Sequence, residues 1–308
     1  VSVIYPRIAV IGCGLIGGSL ARAAKTYGMA ETVVVAEIDP DFRARLEELG
    51  VGDVLTGDPV EAARDADLVI IASPPGSIAD VAAKVGPVMK PGSTLTDVSG
   101  VKGAVGAAME RAVGPGVFVV PGHPIAGTEL SGPDAGFPEL FRGRWTILCP
   151  RPSIHPDYAW AVSRLTEFWE AMGARVETMD ELHHDRVLAI TSHLPHLIAY
   201  TIVGTAADLE QVSEGEVMKF SAGGFRDFTR IAASDPVMWR DIFLLNKDAV
   251  LEVLSTFLGD LAGLVNAVQE GDGPALEEHF TRTRAIRRGV IQAGQESAEP
   301  NFGRDRKG

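Results

Sequence analysis

Apolar positions in the first 180 residues fall into short runs separated by stretches of helical spacing. Residues 7–11, 32–36, 67–72, 94–98, 117–120 and 145–148 predict strands. Val33, Val34 and Val35, and likewise Leu68, Val69, Ile70 and Ile71, are apolar without alternation. Strands covered on both faces of a parallel sheet read this way. Between the first two runs, Ile16, Leu20, Ala23 and Tyr27 recur at helical spacing. Such alternation predicts βαβ units and an α/β, doubly wound parallel sheet. A helix over about 156–172 and a strand over about 175–179 complete this part, giving a domain over 1–179.

From residue 180 the pattern becomes helical with no convincing strand, so 180–308 is read as an all-α domain. One helix is expected over about 180–207, kinked at Pro195. Another opens at Ser234-Asp235-Pro236, a capping residue followed by proline in the first turn, and runs to about 269. Its apolar stripe includes Met238, Ile242, Leu245, Leu251, Leu254, Phe257, Leu258, Leu261 and Val265. That face is wider than one partner helix needs, which suits a central core helix or a subunit interface. The last helix, over about 274–294, carries Arg282, Arg284, Arg287 and Arg288, a solvated face or a set of ion pairs between subunits.

The composition narrows the partners. The 46% hydrophobic content supports sizeable cores. Apolar runs are short and interrupted, so neither a membrane span nor a signal peptide is expected. Cys13 and Cys149 are too few for a disulfide framework and read as small buried residues in a cytoplasmic protein. The net charge of −13 argues against a nucleic-acid partner. It also requires that any anionic substrate be met by basic groups focused at its site.

The run Ile8-Ala9-Val10-Ile11-Gly12-Cys13-Gly14-Leu15-Ile16-Gly17 sets GxGxxG between a predicted strand and a predicted helix. Gly12 permits the tight turn, Gly14 lets the backbone approach a pyrophosphate, and Gly17 lets the helix pack closely. Leu15 and Ile16 open the helix, whose free N–H groups and positive dipole end face the phosphates. In this context the motif reads as a Rossmann dinucleotide site. Glu37, 20 residues after Gly17, can accept hydrogen bonds from both ribose hydroxyls. It would repel a 2′-phosphate, which favours NAD over NADP. Asp39 is the alternative acid, and Arg43 lies near enough to leave some NADP use open. Ser73 and Pro74, just past the third predicted strand, sit where such a sheet meets its cofactor.

His123 follows a short apolar strand, where a doubly wound sheet presents ligand-binding loops. An imidazole with an ordinary pKa is largely neutral in the cytoplasm and can act as a general base; taken alone, a loop histidine is more often a structural hydrogen-bonder. His123-Pro124-Ile125-Ala126-Gly127-Thr128-Glu129 resembles the signature of prephenate and arogenate (cyclohexadienyl) dehydrogenases. So do Thr96-Asp97-Val98-Ser99-Gly100-Val101-Lys102, Ser192-His193-Leu194-Pro195-His196, and the stretch from Gly223 through Asp227 and Arg230 to Trp239, Arg240 and Asp241. The motifs occur in the expected order across nearly the whole chain.

This resemblance implies NAD-dependent oxidative decarboxylation of prephenate or arogenate on the route to tyrosine, in a homodimer joined through its helical domain. It implies that His123 accepts the proton of the ring hydroxyl, and that Glu129 gates the site or supports His123. It implies that Arg230 binds a substrate carboxylate, that His196 and His193 line the pocket, and that Gly223, Asp227 and Trp239 help shape it. One departure concerns the serine that family members carry directly before the Val-Lys pair. That position is Gly100 here, with Ser99 one residue earlier, so either Ser99 reaches the substrate hydroxyl or water does that work. Leu130 also stands where a basic residue is common.

Other readings compete, among them a catalytically silent NAD-sensing or scaffold protein, against which the intact His123 and Arg230 argue. A β-hydroxyacid dehydrogenase type of nicotinamide oxidoreductase would rely on a catalytic lysine, and neither Lys219 nor Lys247 has a recognisable setting of that kind. His183, His184, His193 and His196 could place two metal ligands on one helix face, but no cysteine or HExxH context supports zinc.

Overall fold

The computed structural model describes residues 2–127, 130–210 and 223–292. They fall into two compact units, Val1–Leu251 and Glu252–Gly308. The first is built on a six-stranded parallel sheet of β1 (Arg7–Ile11), β2 (Thr32–Ala36), β3 (Val54–Thr56), β4 (Leu68–Ile71), β5 (Thr94–Asp97) and β6 (Phe118–Val119), in the order β3-β2-β1-β4-β5-β6. Helices α1 (Leu15–Thr26), α2 (Pro40–Glu48), α3 (Pro59–Ala63), α4 (Ile78–Val85) and α5 (Gly103–Ala112) connect them.

The continuous apolar runs explain the layering. Ile8, Val10, Val33, Val35, Leu68 and Ile70 face one core with Leu20, Phe168 and Trp169. Ala9, Ile11, Val34, Val69, Ile71 and Leu95 face another with Ile78, Ala82 and Met109. Alternate residues of one strand thus feed two cores, and every position must be apolar. Strand order reverses between β1 and β4, the switch point at which such sheets bind ligands.

Beyond β6 the chain departs from the expected single sheet. β7 (Gly122–Pro124), β8 (Trp145–Leu148) and β9 (Arg175–Thr178) form a separate three-stranded sheet, with β7 antiparallel to β8. His123, expected in a loop, lies in β7 opposite Ile147. Pro121 ends pairing to the parallel sheet, and its carbonyl accepts the Cys149 N–H at 2.8 Å instead. Helix α6 (Tyr158–Ala171) lies between β8 and β9 in the chain.

The helix expected over 180–207 is α7 (Glu181–Leu188), a π-helical turn (Ala189–His193) and α8 (Leu194–Glu210). The irregularity precedes Pro195, because proline lacks the N–H that would bond back along the ladder. Contrary to the reading of short interrupted runs, residues Glu181–Leu209 are long and apolar enough, by length and composition, to cross a bilayer. The run lies within the first unit and carries the buried His184, Asp185 and His193 that the site below requires.

Helix α9 (Gly223–Thr229) passes into a 3₁₀ turn at Arg230–Ala233 and then into α10 (Pro236–Leu245). Asp235 caps α10, accepting Met238 N–H at 2.8 Å, with Pro236 in the first turn. The expected long helix is broken at Asn246, whose buried side chain turns inward, before α11 (Lys247–Glu270) and α12 (Gly273–Gln292). Leu258, Leu261, Val265 and Val268 on α11 and Phe280 and Ile286 on α12 are exposed.

Candidate active site

The nucleotide half is shaped by three glycines. Gly12 has φ +88°, and a Cβ there would lie 2.9 Å from backbone atoms of Ala72 and Ser73. A side chain would push the β1 loop off the β4 loop. At Gly17 a Cβ would strike the Gly12 carbonyl oxygen, so glycine lets α1 start directly beneath the loop. Gly14 faces open space with nothing within 4 Å. Helix α1 has no side-chain cap and no acidic residue in its first turn, so the N–H groups around Leu15 and Ile16 are left for an anionic ligand.

Glu37, at the end of β2, is nearly buried; Oε2 accepts the Cys13 N–H at 2.9 Å and Oε1 the Asp39 N–H at 3.1 Å. Its carboxylate is therefore fixed against the glycine loop. Asp39 caps α2, its Oδ1 accepting from Asp41 N and Phe42 N. Arg43 donates to the Glu37 and Ile38 carbonyls at 2.7 and 3.0 Å. Ser73 is half-buried and accepts the Ser77 hydroxyl at 2.9 Å, while Pro74 is exposed beside it.

The second half centres on His123. Its Nδ1 lies 2.9 Å from Nε2 of His184, and Nδ1 of His184 lies 2.8 Å from Oδ1 of Asp185. Asp185 also accepts the N–H groups of Lys102 and Gly103 at 2.8 and 2.9 Å. Lys102 is fully buried, with Nζ 2.5 Å from Asp97 Oδ2 and 2.6 Å from the Gly122 carbonyl. It thereby ties the loop after β5 to the residue before His123. His123 keeps part of its surface exposed. Burial, reinforced by the neighbouring His184, Lys102 and His193, holds its pKa well below the ordinary histidine value.

A Cβ at Gly100 would lie 3.6 Å from His123 Cε1 and Nε2 and 4.0 Å from His193 Nε2, so this residue opens the space beside the imidazole. Ser99 turns away from it. Its hydroxyl sits 2.6 Å from Asp97 Oδ2 and 2.9 Å from the Val101 carbonyl. The structure thus gives Ser99 an anchoring contact in the loop in place of the expected reach toward the substrate hydroxyl.

His193 is buried, hydrogen-bonds the Gly100 backbone, and faces Asn246 Nδ2 at 3.0 Å through Nδ1; burial pulls its pKa down to about 4. Nδ1 of His196 donates to the Ser192 carbonyl at 2.8 Å. The His196 ring stacks on Trp239 at 3.6 Å between centroids. Trp239 in turn meets His193 edge-on at 6.0 Å and packs with Val101. Its buried indole N–H has no partner among the described residues. Arg230 is exposed, and its charge, after burial, helps depress the His196 pKa. His193, Trp239 and His196 are thus in ring contact, His123 and His193 both border the space at Gly100, and the Arg230 charge is felt at His196. Gly223 and Asp227 lie exposed on α9, upstream of Arg230. Glu129 and Lys219 lie outside the described residues.

Four participants escaped the sequence reading: His184, weighed only as a metal ligand, together with Asp185, Lys102 and Asn246. The adjacent His-Asp pair opening a helix was the available signal. Among the described residues no group of three or more His, Cys, Asp or Glu is arranged to hold a metal ion.

Comparison with known proteins agrees with this layout. Residues 20–178 match the family model for the nucleotide-binding domain of prephenate dehydrogenase, and residues 180–282 match that for its dimerization domain. The chain is 42% identical to the cyclohexadienyl dehydrogenase of Zymomonas mobilis over 92% of this chain and 96% of that protein. It is 31% identical to the prephenate dehydrogenase of Bacillus subtilis over 96% of this chain and 78% of that protein. Among solved structures, the prephenate dehydrogenase of A. aeolicus in complex with hydroxyphenyl propionate and NAD+ superposes with a TM-score of 0.85 at 31% identity, covering 92% of this chain and 98% of that one.

Proposed function

The chain belongs to the prephenate dehydrogenase family, and on that premise we propose how its own residues divide the work of oxidatively decarboxylating prephenate or arogenate. It is a nicotinamide-dependent oxidoreductase of tyrosine biosynthesis, with a Rossmann-type nucleotide-binding part and a helical part.

The residues present fit a dinucleotide. Open space at Gly14, an uncapped α1 and a carboxylate fixed at the end of β2 are the three features it needs. We assign NAD over NADP. Glu37 would repel a 2′-phosphate, and the Arg43 guanidinium that could attract one is already bonded to two carbonyls. Bound NAD supplies the acceptor for the hydride.

His123 takes the proton of the ring hydroxyl as the carbon bearing it is oxidised. The depressed pKa keeps the imidazole unprotonated and ready at neutral pH. The ketone that forms withdraws electrons through the ring, the ring carboxylate departs as carbon dioxide, and the ring becomes aromatic. Arg230 holds a substrate carboxylate and meets the charge requirement set by an acidic chain. The stacked His196 and Trp239, with His193 behind them, wall the pocket, and Gly223 and Asp227 border it. We further assign residues 1–179 to nucleotide binding and 180–308 to substrate binding and homodimer formation, the exposed apolar faces of α11 and α12 being the surfaces available for a second copy. Cys13 and Cys149 are both free, which suits the cytoplasmic location we assign.

The observation that carries this reading is the partly exposed, neutral-biased His123 bordering the space at Gly100. The test mixes the protein with NAD and either prephenate or arogenate and follows reduced nicotinamide. Turnover is expected, with His123→Asn losing about 10²-fold or more in kcat at unchanged NAD affinity. Absence of turnover with both substrates would overturn the proposal.

A further inference from the structure

We propose that His184 and Asp185 are positioning residues that hold neutral His123 with its proton on Nδ1, so that Nε2 is the nitrogen that takes the substrate's proton. The inference rests on the assignment of His123 as the base.

The direction of each hydrogen bond follows from what each group can donate. A carboxylate only accepts, and Asp185 already receives the N–H groups of Lys102 and Gly103. Nδ1 of His184, 2.8 Å from Asp185 Oδ1, therefore carries a proton. A neutral imidazole protonated on Nδ1 has its lone pair on Nε2. That Nε2 lies 2.9 Å from His123 Nδ1, so His123 Nδ1 must donate. The lone pair of neutral His123 is left on Nε2, beside the space at Gly100. The opposite tautomer would set two lone pairs, or two N–H groups, against each other.

Burial favours neutral His184: the side chain is fully excluded from solvent and its pKa is lowered, first by burial. The relay is also fixed in place. Asp185 bonds the backbone at the start of α5, and Asn246 Nδ2 bonds the Asp185 carbonyl at 2.8 Å and His193 Nδ1 at 3.0 Å. When Nε2 gains the proton, Nδ1 still donates to His184, and the Asp185 charge stabilises the cation through one intervening ring. Among the described residues, the charged and titratable groups around His123 are His184 from α7 with Asp185 behind it, His193 from the π turn, and Lys102 from the loop before α5 with Asp97 of β5 behind it.

Nitrogen-15 spectra of histidine-labelled protein report the tautomer directly. His123 of the unmodified protein should show a protonated Nδ1 and an unprotonated Nε2; the reverse overturns the proposal, whether or not any variant folds. In kinetics, His184→Leu should lose about 10²-fold in kcat with KM for NAD unchanged to within about twofold. His184→Gln, which can offer an amide oxygen to His123 Nδ1–H, should recover most of that loss. Asp185→Asn should move the acid limb of the kcat/KM profile to lower pH, because the charge that stabilises the imidazolium is gone. If His184→Leu keeps kcat and the acid limb while His123→Asn is inactive, the relay is refuted and the base stands. An active His123→Asn removes both.

Discussion

Replacing Lys102 by methionine should damage stability and catalysis together. Both Lys102 and Asp97 are fully excluded from solvent, and Nζ contacts Asp97 Oδ2 at 2.5 Å and the Gly122 carbonyl at 2.6 Å. Methionine preserves much of the volume but leaves a buried carboxylate without its cation. Breaking a buried pair on one side costs about 3–5 kcal/mol. The lower end applies, because Asp97 keeps bonds from Ser99 N, Ser99 Oγ and Gly122 N. The Gly122 carbonyl loses its strong donor, adding about 1 kcal/mol. A total near 4 kcal/mol should appear as a lower denaturant midpoint at unchanged slope. Gly122 precedes His123 in β7, so a shift of about 1 Å there should cut kcat by up to about 10²-fold. Combining Lys102→Met with Asp97→Asn removes both charges and should cost less than the two single losses added together, by about 1–3 kcal/mol. A Lys102→Met protein within about 1 kcal/mol of the parent, or a strictly additive double variant, would refute the reasoning.

Four further outcomes can be measured. Burial first, with His184, Lys102 and His193 beside it, holds the His123 pKa below 6.5, so kcat/KM should stay level on acidification through pH 6.5 and fall only beyond it; an acid limb at or above 6.5 would contradict the site. His193 extends the same sign to stability. Its folded pKa of about 4 lies below the unfolded 6.5, so between those values the unfolded chain binds more protons. The contribution is complete above pH 6.5 and is lost as pH falls toward 4, about 3 kcal/mol in all, which denaturant titrations at several pH values would show against a His193→Phe control. Glu37→Ala should raise the KM for NAD by about tenfold, a loss of about 1.4 kcal/mol, and narrow its advantage over NADP; an unchanged ratio of the two kcat/KM values would take Glu37 out of ribose recognition. Gly100→Ser should fold within about 0.5 kcal/mol of the parent, since its Cβ meets only ordinary contacts at 3.6 Å, and should change kcat through a hydroxyl placed beside His123 Nε2. A collapse in stability would show that the space is not there.

The parallel sheet was legible because each of its strands answers a local demand. A strand feeding two cores must be apolar at every position, as at Val33–Val35, and a chain turning back under its own helix must carry glycine at 12 and 17. The second sheet was not, because β7 is only three residues long and contains a proline, and the β8 strand it pairs with starts 21 residues after β7 ends, β9 joining only the far edge of β8. The break at Asn246 was hidden for a related reason. The apolar stripe continues through it, and only the inward hydrogen bonds to Asp185 and His193 explain why the helix stops. His123 was identifiable from its own motif, whereas its partners His184 and Asp185 lie about 60 residues away, where only folding makes them neighbours. Ser99 misled for the opposite reason, since proximity in sequence to Gly100 says nothing of which way a hydroxyl turns.

The π turn at Ala189–His193 has a geometric consequence for the two histidines that bracket it. His184 and His196 are 12 positions apart, which at about 100° per residue would set them about 120° apart around an uninterrupted helix. One extra residue in the turn takes back about 100° and leaves them within about 20° of a common direction. The wide turn therefore acts as a phase corrector. Point substitutions that keep the wide turn leave the alignment intact, and so would deleting one residue there, since a regular helix with the histidines 11 positions apart also sets them within about 20°; tightening the turn with every residue kept would instead swing the His184 and His196 rings about 120° apart.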